Sequence, residues 1–362
     1  MDNYYGRKGT RVINVGGLVI GGDNPIAVQS MNNTKTSDVE ATLKQIEALH
    51  EVGCDLTRVA IPDMAAAEAL KEITKRSPIP VVADIHFDYR LALEAVKNGA
   101  AKIRINPGNI GGSENVFKVA SACKERNIPI RVGVNSGSIE KRLLEKYQKV
   151  CPEAMTESAL GAVKLLEDVD FDDIIISIKS SSPRLTIETY KMLSGMTDYP
   201  LHVGVTEAGT VREGIIKSAV GIGSLLSSGI GDTIRVSLTG DPVDEVIAGI
   251  GILKALDLRK GGITFVSCPT CGRTRVPLIE LASEIEKRIC TLPYDLKVAV
   301  MGCVVNGPGE AKDADIGLAG GIDEFILFEK GETIRRIKAE NAVDEFVAEV
   351  IKLGEKNKCQ EN

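Results

Sequence analysis

The sequence predicts a (β/α)8 barrel followed by a small α+β domain. Three observations carry this. Eight short β-branched runs alternate with amphipathic helical stretches over roughly 230 residues, the count and length of a closed barrel. The first turn of that repeat has no GxGxxG, the glycine fingerprint of a doubly wound sheet. Beyond Arg259-Lys260-Gly261-Gly262 the repeat stops, and two strand-like runs each lead into a cysteine loop. The expected division is a barrel over residues 1–260, including an N-terminal hairpin, and a metal-cluster domain over 261–362.

The chain has 362 residues, 43% hydrophobic and 26% charged, the balance of a soluble globular protein. Trp is absent and aromatics make up only 4%, so the core must be aliphatic. A net charge of −6 argues against general nucleic-acid binding. No apolar run is long enough for a membrane span, and Met1–Lys8 lacks the apolar core of a signal peptide. Eight cysteines without an export signal fit a cytoplasmic protein whose thiols stay reduced.

In chain order, residues about 10–25 alternate around Gly16-Gly17 and read as a β-hairpin. The barrel strands are Ala27–Met31, Leu56–Ile61, Val81–Ile85, Lys102–Ile105, Ile130–Val134, Ile174–Ile178, Leu201–Val205 and Thr233–Leu238. The intervening helices include Asp38–His50, stopped by Gly53, and Pro242–Leu256. After the linker come a strand at Ile263–Val266, a helix at Leu278–Ile289 and a strand at Lys297–Met301. Extended runs follow at Asp315–Leu318, Glu324–Glu329 and Glu332–Ile337, then a helix over about Ala342–Leu353 and a frayed polar tail from Glu355.

Barrel chemistry sits just past the C-terminal strand ends. Five of the eight strands carry a cation in or just beyond the run: Arg58, Arg104, Arg131, Lys179 and Arg235. Neutral or acidic polar groups join them at His86, Asn135, Thr206, Glu207 and Ser237. One such Arg reads as a structural ion pair. Five around one mouth call for an anionic ligand with several oxygens, a diphosphate or another polyanion. The loop Asn106–Ser113 opens the next helix and adds backbone N–H donors suited to phosphate.

The cysteine loops are Ser267-Cys268-Pro269-Thr270-Cys271-Gly272-Arg273 and Met301-Gly302-Cys303-Val304-Val305-Asn306-Gly307-Pro308-Gly309-Glu310. Cys-x-x-Cys puts two thiolates on one turn, and Cys303 supplies a third from another loop. A structural zinc site needs four closed ligands. Cys54, Cys123, Cys151, Cys290 and Cys359 sit in barrel segments, at a helix end or in the tail, and read as incidental thiols. Three thiolates plus one exchangeable position is the pattern of an iron–sulfur cluster with one open iron. Glu310 reads either as the group that completes that shell or as a helix N-terminal carboxylate facing Lys312. Asn306 can hydrogen-bond cluster or substrate.

An ordered set of motifs then points to a known family. They are Val28-Gln29-Ser30-Met31-Asn32, Ala83-Asp84-Ile85-His86-Phe87, Lys102–Asn109, Arg131–Gly137, Gly204–Gly209, Cys268–Arg273 and Met301–Glu310. Through them the chain resembles the 4-hydroxy-3-methylbut-2-en-1-yl diphosphate synthase family over nearly its whole length, in the short bacterial form. The resemblance implies reductive ring opening of 2-C-methyl-D-erythritol 2,4-cyclodiphosphate. Electrons come singly from reduced flavodoxin or ferredoxin through a [4Fe-4S] cluster held by Cys268, Cys271, Cys303 and Glu310. It implies that the cation ring grips the diphosphate and that Glu207 assists proton transfer, unless Glu207 is an ion-pair partner of those cations. It also implies a head-to-tail homodimer, although cis closure within one chain stays open.

Two other readings compete: a pterin- or phosphosugar-type barrel with a structural zinc appendage, and a redox carrier without catalysis. The missing fourth cysteine counts against the first, and the cation-lined mouth against the second.

Overall fold

The structure is a computed structural model, and it describes residues 6–303, 309, 311–321 and 324–360. The chain forms two compact units, Met1–Arg259 and Lys260–Asn362.

The first unit opens with a hairpin of β1 (Ile13–Val15) and β2 (Leu18–Ile20), turning at Gly16 and Gly17, both at positive φ. The barrel strands follow: β3 (Ala27–Met31), β4 (Leu56–Ala60), β5 (Val81–Asp84), β6 (Lys102–Ile105), β7 (Ile130–Asn135), β8 (Ile174–Lys179), β9 (His202–Val203) and β10 (Thr233–Ile234). Their hydrogen-bonded order is β8-β7-β6-β5-β4-β3-β10-β9, all parallel. A bridge between Ile176 and Leu201 joins β8 to β9, with the Ile176 N–H on Pro200 O at 2.9 Å, and closes the ring.

Nine helices of the described residues wrap this ring: α1 (Val39–Glu51), α2 (Met64–Arg76), α3 (Tyr89–Lys97), α4 (Gly112–Glu125), α5 (Lys141–Tyr147), α6 (Pro152–Glu167), α7 (Pro183–Ser194), α8 (Val211–Leu226) and α9 (Pro242–Ala255). Their starts follow capping chemistry. Asp38, Asp63 and Ser182 accept backbone N–H bonds from Ala41, Ala66 and Leu185, and α6, α7 and α9 begin with Pro. The Leu, Ile, Val and Ala side chains between ring and helices form one large core.

Inside the ring, side chains two apart on a strand share a face. Ala27, Leu56, Val82 and Ile175 make an apolar bottom tier, sealed from below by Ile13, Val15 and Ile20 of the hairpin.

The second unit is a five-stranded sheet in the order β11 (Ile263–Ser267), β12 (Leu296–Met301), β13 (Ile316–Gly320), β14 (Glu324–Glu329), β15 (Glu332–Lys338). The first three strands run parallel and the last two reverse. Alternation splits its faces. Val298, Val300, Leu318 and Leu327 pack with α10 (Leu278–Ile289) and α11 (Ala342–Gln360), while Ala299, Met301, Ala319 and Phe328 form a smaller cluster.

The last helix departs from expectation. Instead of fraying at Glu355 it runs to Gln360. Gly354 explains the continuation: a Cβ there would lie 2.2 Å from Tyr294 Cγ, so the glycine lets an aromatic ring pack on the helix backbone.

Candidate active site

Above the apolar floor the barrel interior turns polar in two steps. The middle tier holds Gln29, Lys102, Arg131, Ser177, His202 and Thr233, all buried. The top tier opens as a cavity of about 470 Å³ at the C-terminal strand ends. It is lined by Arg58, Arg104, Lys179 and Arg235, with His86, Asn135, Thr206 and Glu207 beside them.

The cations are held in place by few acids. Asp84 is 3% exposed. One of its oxygens accepts from Arg104 Nη1 at 3.1 Å, and the other lies 3.5 Å from Arg58 Nε. His86 Nε2 stands 3.8 Å from the first of these oxygens. Burial alone would raise the Asp84 carboxyl, yet Arg58, Arg104 and Arg131 hold it well below the usual carboxylate range. Arg235 pairs with Glu245 through Nε and Nη2 at 3.3 and 3.2 Å, and Ser30 Oγ and the Leu238 N–H also donate to that carboxylate. Among the described residues, no carboxylate stands in ion-pair contact with Arg131 or Lys179. Burial, then Arg58, Arg131, Arg235 and Arg104, push the Lys179 ammonium well below its ordinary value. The mouth therefore carries more positive charge than it neutralises, and a polyanion is the ligand that balances it.

The structure thus brings Arg58, His86, Arg104, Asn135, Lys179, Thr206, Glu207 and Arg235 to one cavity. Arg131 and Ser237 are not among its lining residues. Arg131 lies fully buried one tier lower, where Nη1 donates to Gln29 Oε1 at 3.2 Å. Ser237 is half-buried beyond the end of β10. Asn306 and Glu310 lie outside the described residues.

Met31, Asp84, Ser136 and Gly137 also line the cavity; they lie within the motifs given above but outside the candidate site residues. Asp84 was visible in principle, because it is an acid ending an otherwise apolar strand beside a histidine. Met31 gave no polar signal, yet its sulfur lies 2.7 Å from Arg58 Nη2 and props the guanidinium.

In the second unit β11 and β12 are parallel neighbours, with Ser267 opposite Val300, so both cysteine loops leave the same sheet edge. The Gly302 N–H donates to Cys268 Sγ at 3.2 Å. The Arg275 N–H donates to Gly302 O at 3.1 Å, which ties the loops together, and the Cys271 N–H donates to Thr274 Oγ1 at 3.0 Å within the first loop. The backbone N–H of Arg273 lowers the Cys271 thiol below its ordinary value. Cys268 and Cys303 are half-buried and Cys271 is exposed, whereas burial pushes the core thiols Cys54 and Cys123 up to about 12. Three accessible thiols, one already accepting a backbone N–H, suit thiolate ligation of a metal centre. Among the described residues, no group of three or more His, Cys, Asp or Glu side chains is gathered as a closed metal set.

Comparison with known proteins bears on both units. The chain is 60% identical over 341 residues to a Clostridium acetobutylicum protein named 4-hydroxy-3-methylbut-2-en-1-yl diphosphate synthase (flavodoxin), covering 94% of this chain and 98% of that one. It is 61% identical over 350 residues to a protein of the same name from Ruminiclostridium cellulolyticum, covering 97% and 99%. Among solved structures, a truncated 3-deoxy-D-arabino-heptulosonate 7-phosphate synthase from Thermotoga maritima superposes with a TM-score of 0.51 at 15% identity, over 68% of this chain and 94% of that one. That last likeness concerns the barrel fold alone. Residues 10–250 match the GcpE TIM-barrel domain and residues 264–352 the GcpE protein C-terminal domain, so the chain belongs to the GcpE family.

Proposed function

We propose that the chain carries out the reaction of its relatives. It opens the ring of 2-C-methyl-D-erythritol 2,4-cyclodiphosphate reductively, with loss of water, to give 4-hydroxy-3-methylbut-2-en-1-yl diphosphate, using electrons from reduced flavodoxin. The observation that carries this reading is the cavity at the barrel mouth, where Arg58, Arg104, Lys179 and Arg235 face a space of about 470 Å³ with Asp84, Glu245 and Glu207 as the nearby acids.

In this reading Arg58, Arg104, Lys179 and Arg235 hold the diphosphate. Guanidinium forks meet its oxygens in pairs, and Lys179 acts as a point charge. Asp84 keeps Arg58 and Arg104 aimed at the same site while cancelling only part of their charge. His86, Asn135 and Thr206 orient the polyol from the strand ends. Arg131 adds its field from below, and Ser237 and Asn306 complete the substrate-binding set. Glu207, exposed at the rim with φ +51°, is the carboxylate that moves a proton to or from the substrate.

Cys268, Cys271, Cys303 and Glu310 are the residues that would hold a [4Fe-4S] cluster. When bound, such a cluster supplies electrons one at a time and a Lewis-acidic iron. The proposal includes a homodimer as the working form. It also includes the cytoplasm as its compartment, which the free thiols of the described cysteines support. No helix of the described residues is long and apolar enough to cross a membrane.

The test is anaerobic purification of the parent and of Cys303→Ser, with iron, sulfide and zinc assayed beside turnover of the cyclic diphosphate by reduced flavodoxin. About four irons and four sulfides per chain with turnover, both lost in the variant, are expected. A colourless chain holding about one zinc and no activity would overturn the reading.

A further inference from the structure

The middle tier of the barrel lies beneath the substrate cavity and, apart from the field Arg131 lends the diphosphate, has none of the roles above. Gln29, Lys102, Ser177 and Thr233 stand two residues before the cavity-lining or paired Met31, Arg104, Lys179 and Arg235, so they point into the same interior. Arg131 and His202 stand four before Asn135 and Thr206 on the same faces. None of the six is more than 1% exposed.

Two contacts within the tier are made. Arg131 Nη1 donates to Gln29 Oε1 at 3.2 Å, and His202 Nδ1 lies 2.7 Å from Thr233 Oγ1. Lys102 Nζ, Arg131 Nε and Nη2, Gln29 Nε2 and His202 Nε2 remain buried with no hydrogen-bond partner among the described residues. Neither Lys102 nor Arg131 has a carboxylate in ion-pair contact there, because Asp84 serves Arg58 and Arg104 and Glu245 serves Arg235.

The first four of these five atoms can only donate. Water accepts two such bonds but then presents two hydrogens, and the unpartnered atoms of the tier offer them only Ser177 Oγ and, in one tautomer, His202 Nε2. An anion accepts from every side and neutralises charge that is costly to bury unpaired. We propose that a small monovalent anion of chloride size binds in the middle tier, held by Lys102, Arg131, Gln29 and His202, below the diphosphate cavity and separate from it. The electrostatics agree. Burial, then Arg131 and Arg58, lower the Lys102 ammonium. Burial, then Arg131, Lys179, Lys102 and Arg58, lower His202. One negative charge among them offsets that mutual repulsion.

The test uses the full chain crystallised without chloride in sodium bromide, with anomalous maps recorded at the bromine edge. One peak within contact distance of Lys102 Nζ and the Arg131 guanidinium is expected, and it disappears in Lys102→Met. In solution the parent melts higher in chloride than in gluconate at equal ionic strength, and Lys102→Met does not respond to the exchange. A tier without anomalous signal, or bromide found only among Arg58, Arg104, Lys179 and Arg235, overturns the proposal. Should Lys102→Met fail to fold, the bromide map and the chloride series on the parent decide alone.

Discussion

Asp84 accepts a hydrogen bond from Arg104 Nη1 at 3.1 Å while its second oxygen faces Arg58 Nε at 3.5 Å, so one buried carboxylate aligns two guanidiniums that line the cavity. Removing one partner of a buried ion pair costs roughly 3–5 kcal/mol. Asp84→Asn should therefore melt well below the parent. Inorganic diphosphate should restore part of the loss, since it returns negative charge to the same arginines. Calorimetry with and without diphosphate checks this, and an unchanged melting temperature would show that Asp84 is not their counterion.

Gly133 makes room for Arg104. A Cβ at this position would stand 2.4 Å from Arg104 Nε and 2.8 Å from Nη2. Gly133→Ala should push the guanidinium off its bond to Asp84 and out of the cavity wall. Loss of one charge-assisted contact is worth about 1.5–3 kcal/mol, so KM should rise on the order of tenfold or more. Iron content should stay at the parent level. Steady-state kinetics beside iron assay separates this from misfolding.

Glu207 sits at the exposed rim in a left-handed backbone conformation, φ +51°. If it moves a proton, Glu207→Gln should lower kcat by about 10²–10⁴ with little change in KM. If it is a counterion of the mouth cations, the same change should leave kcat alone and tighten polyanion binding. The split between kcat and KM decides.

Cys54 and Cys123 tie stability to alkaline pH. Burial raises both thiols from 9.0 to about 12 in the folded chain. Below about pH 9 both states hold these protons and the contribution is intact. Between about pH 9 and 12 the unfolded chain releases them and the folded chain does not, so stability declines as pH rises. Urea unfolding at a series of pH values should show this decline, and it should be shallower in the Cys54→Ala, Cys123→Ala double variant.

Much of the barrel could be read from the chain because its strands are β-branched runs bounded by turn residues. The last two expected strands, Leu201–Val205 and Thr233–Leu238, form ladders only at His202–Val203 and Thr233–Ile234. Past the ladder, a Cβ at position 204 would lie 2.5 Å from Arg235 O, so only glycine fits where the two backbones meet. The cation ring was legible because Arg58, Arg104, Lys179 and Arg235 stand at or near strand ends. Arg131 looked the same but sits one tier down, since strand stagger around a closed barrel does not appear in a single run. Lys102 and His202 were hidden for the same reason. An inward polar residue within a strand looks like an outward one until the ring closes.

Among the described residues, the hairpin floor closes the lower end of the barrel. Ile13, Val15 and Ile20 stop the lower end with aliphatic side chains, so nothing charged enters or leaves that way. In the proposed function, the diphosphate that arrives and the diphosphate that departs use the same opening and answer to the same four cations. Turnover in such a cul-de-sac is exclusive: each product must vacate before the next substrate is admitted. Accumulating product should therefore slow the enzyme by simple competition, raising the apparent KM and leaving the maximal rate untouched.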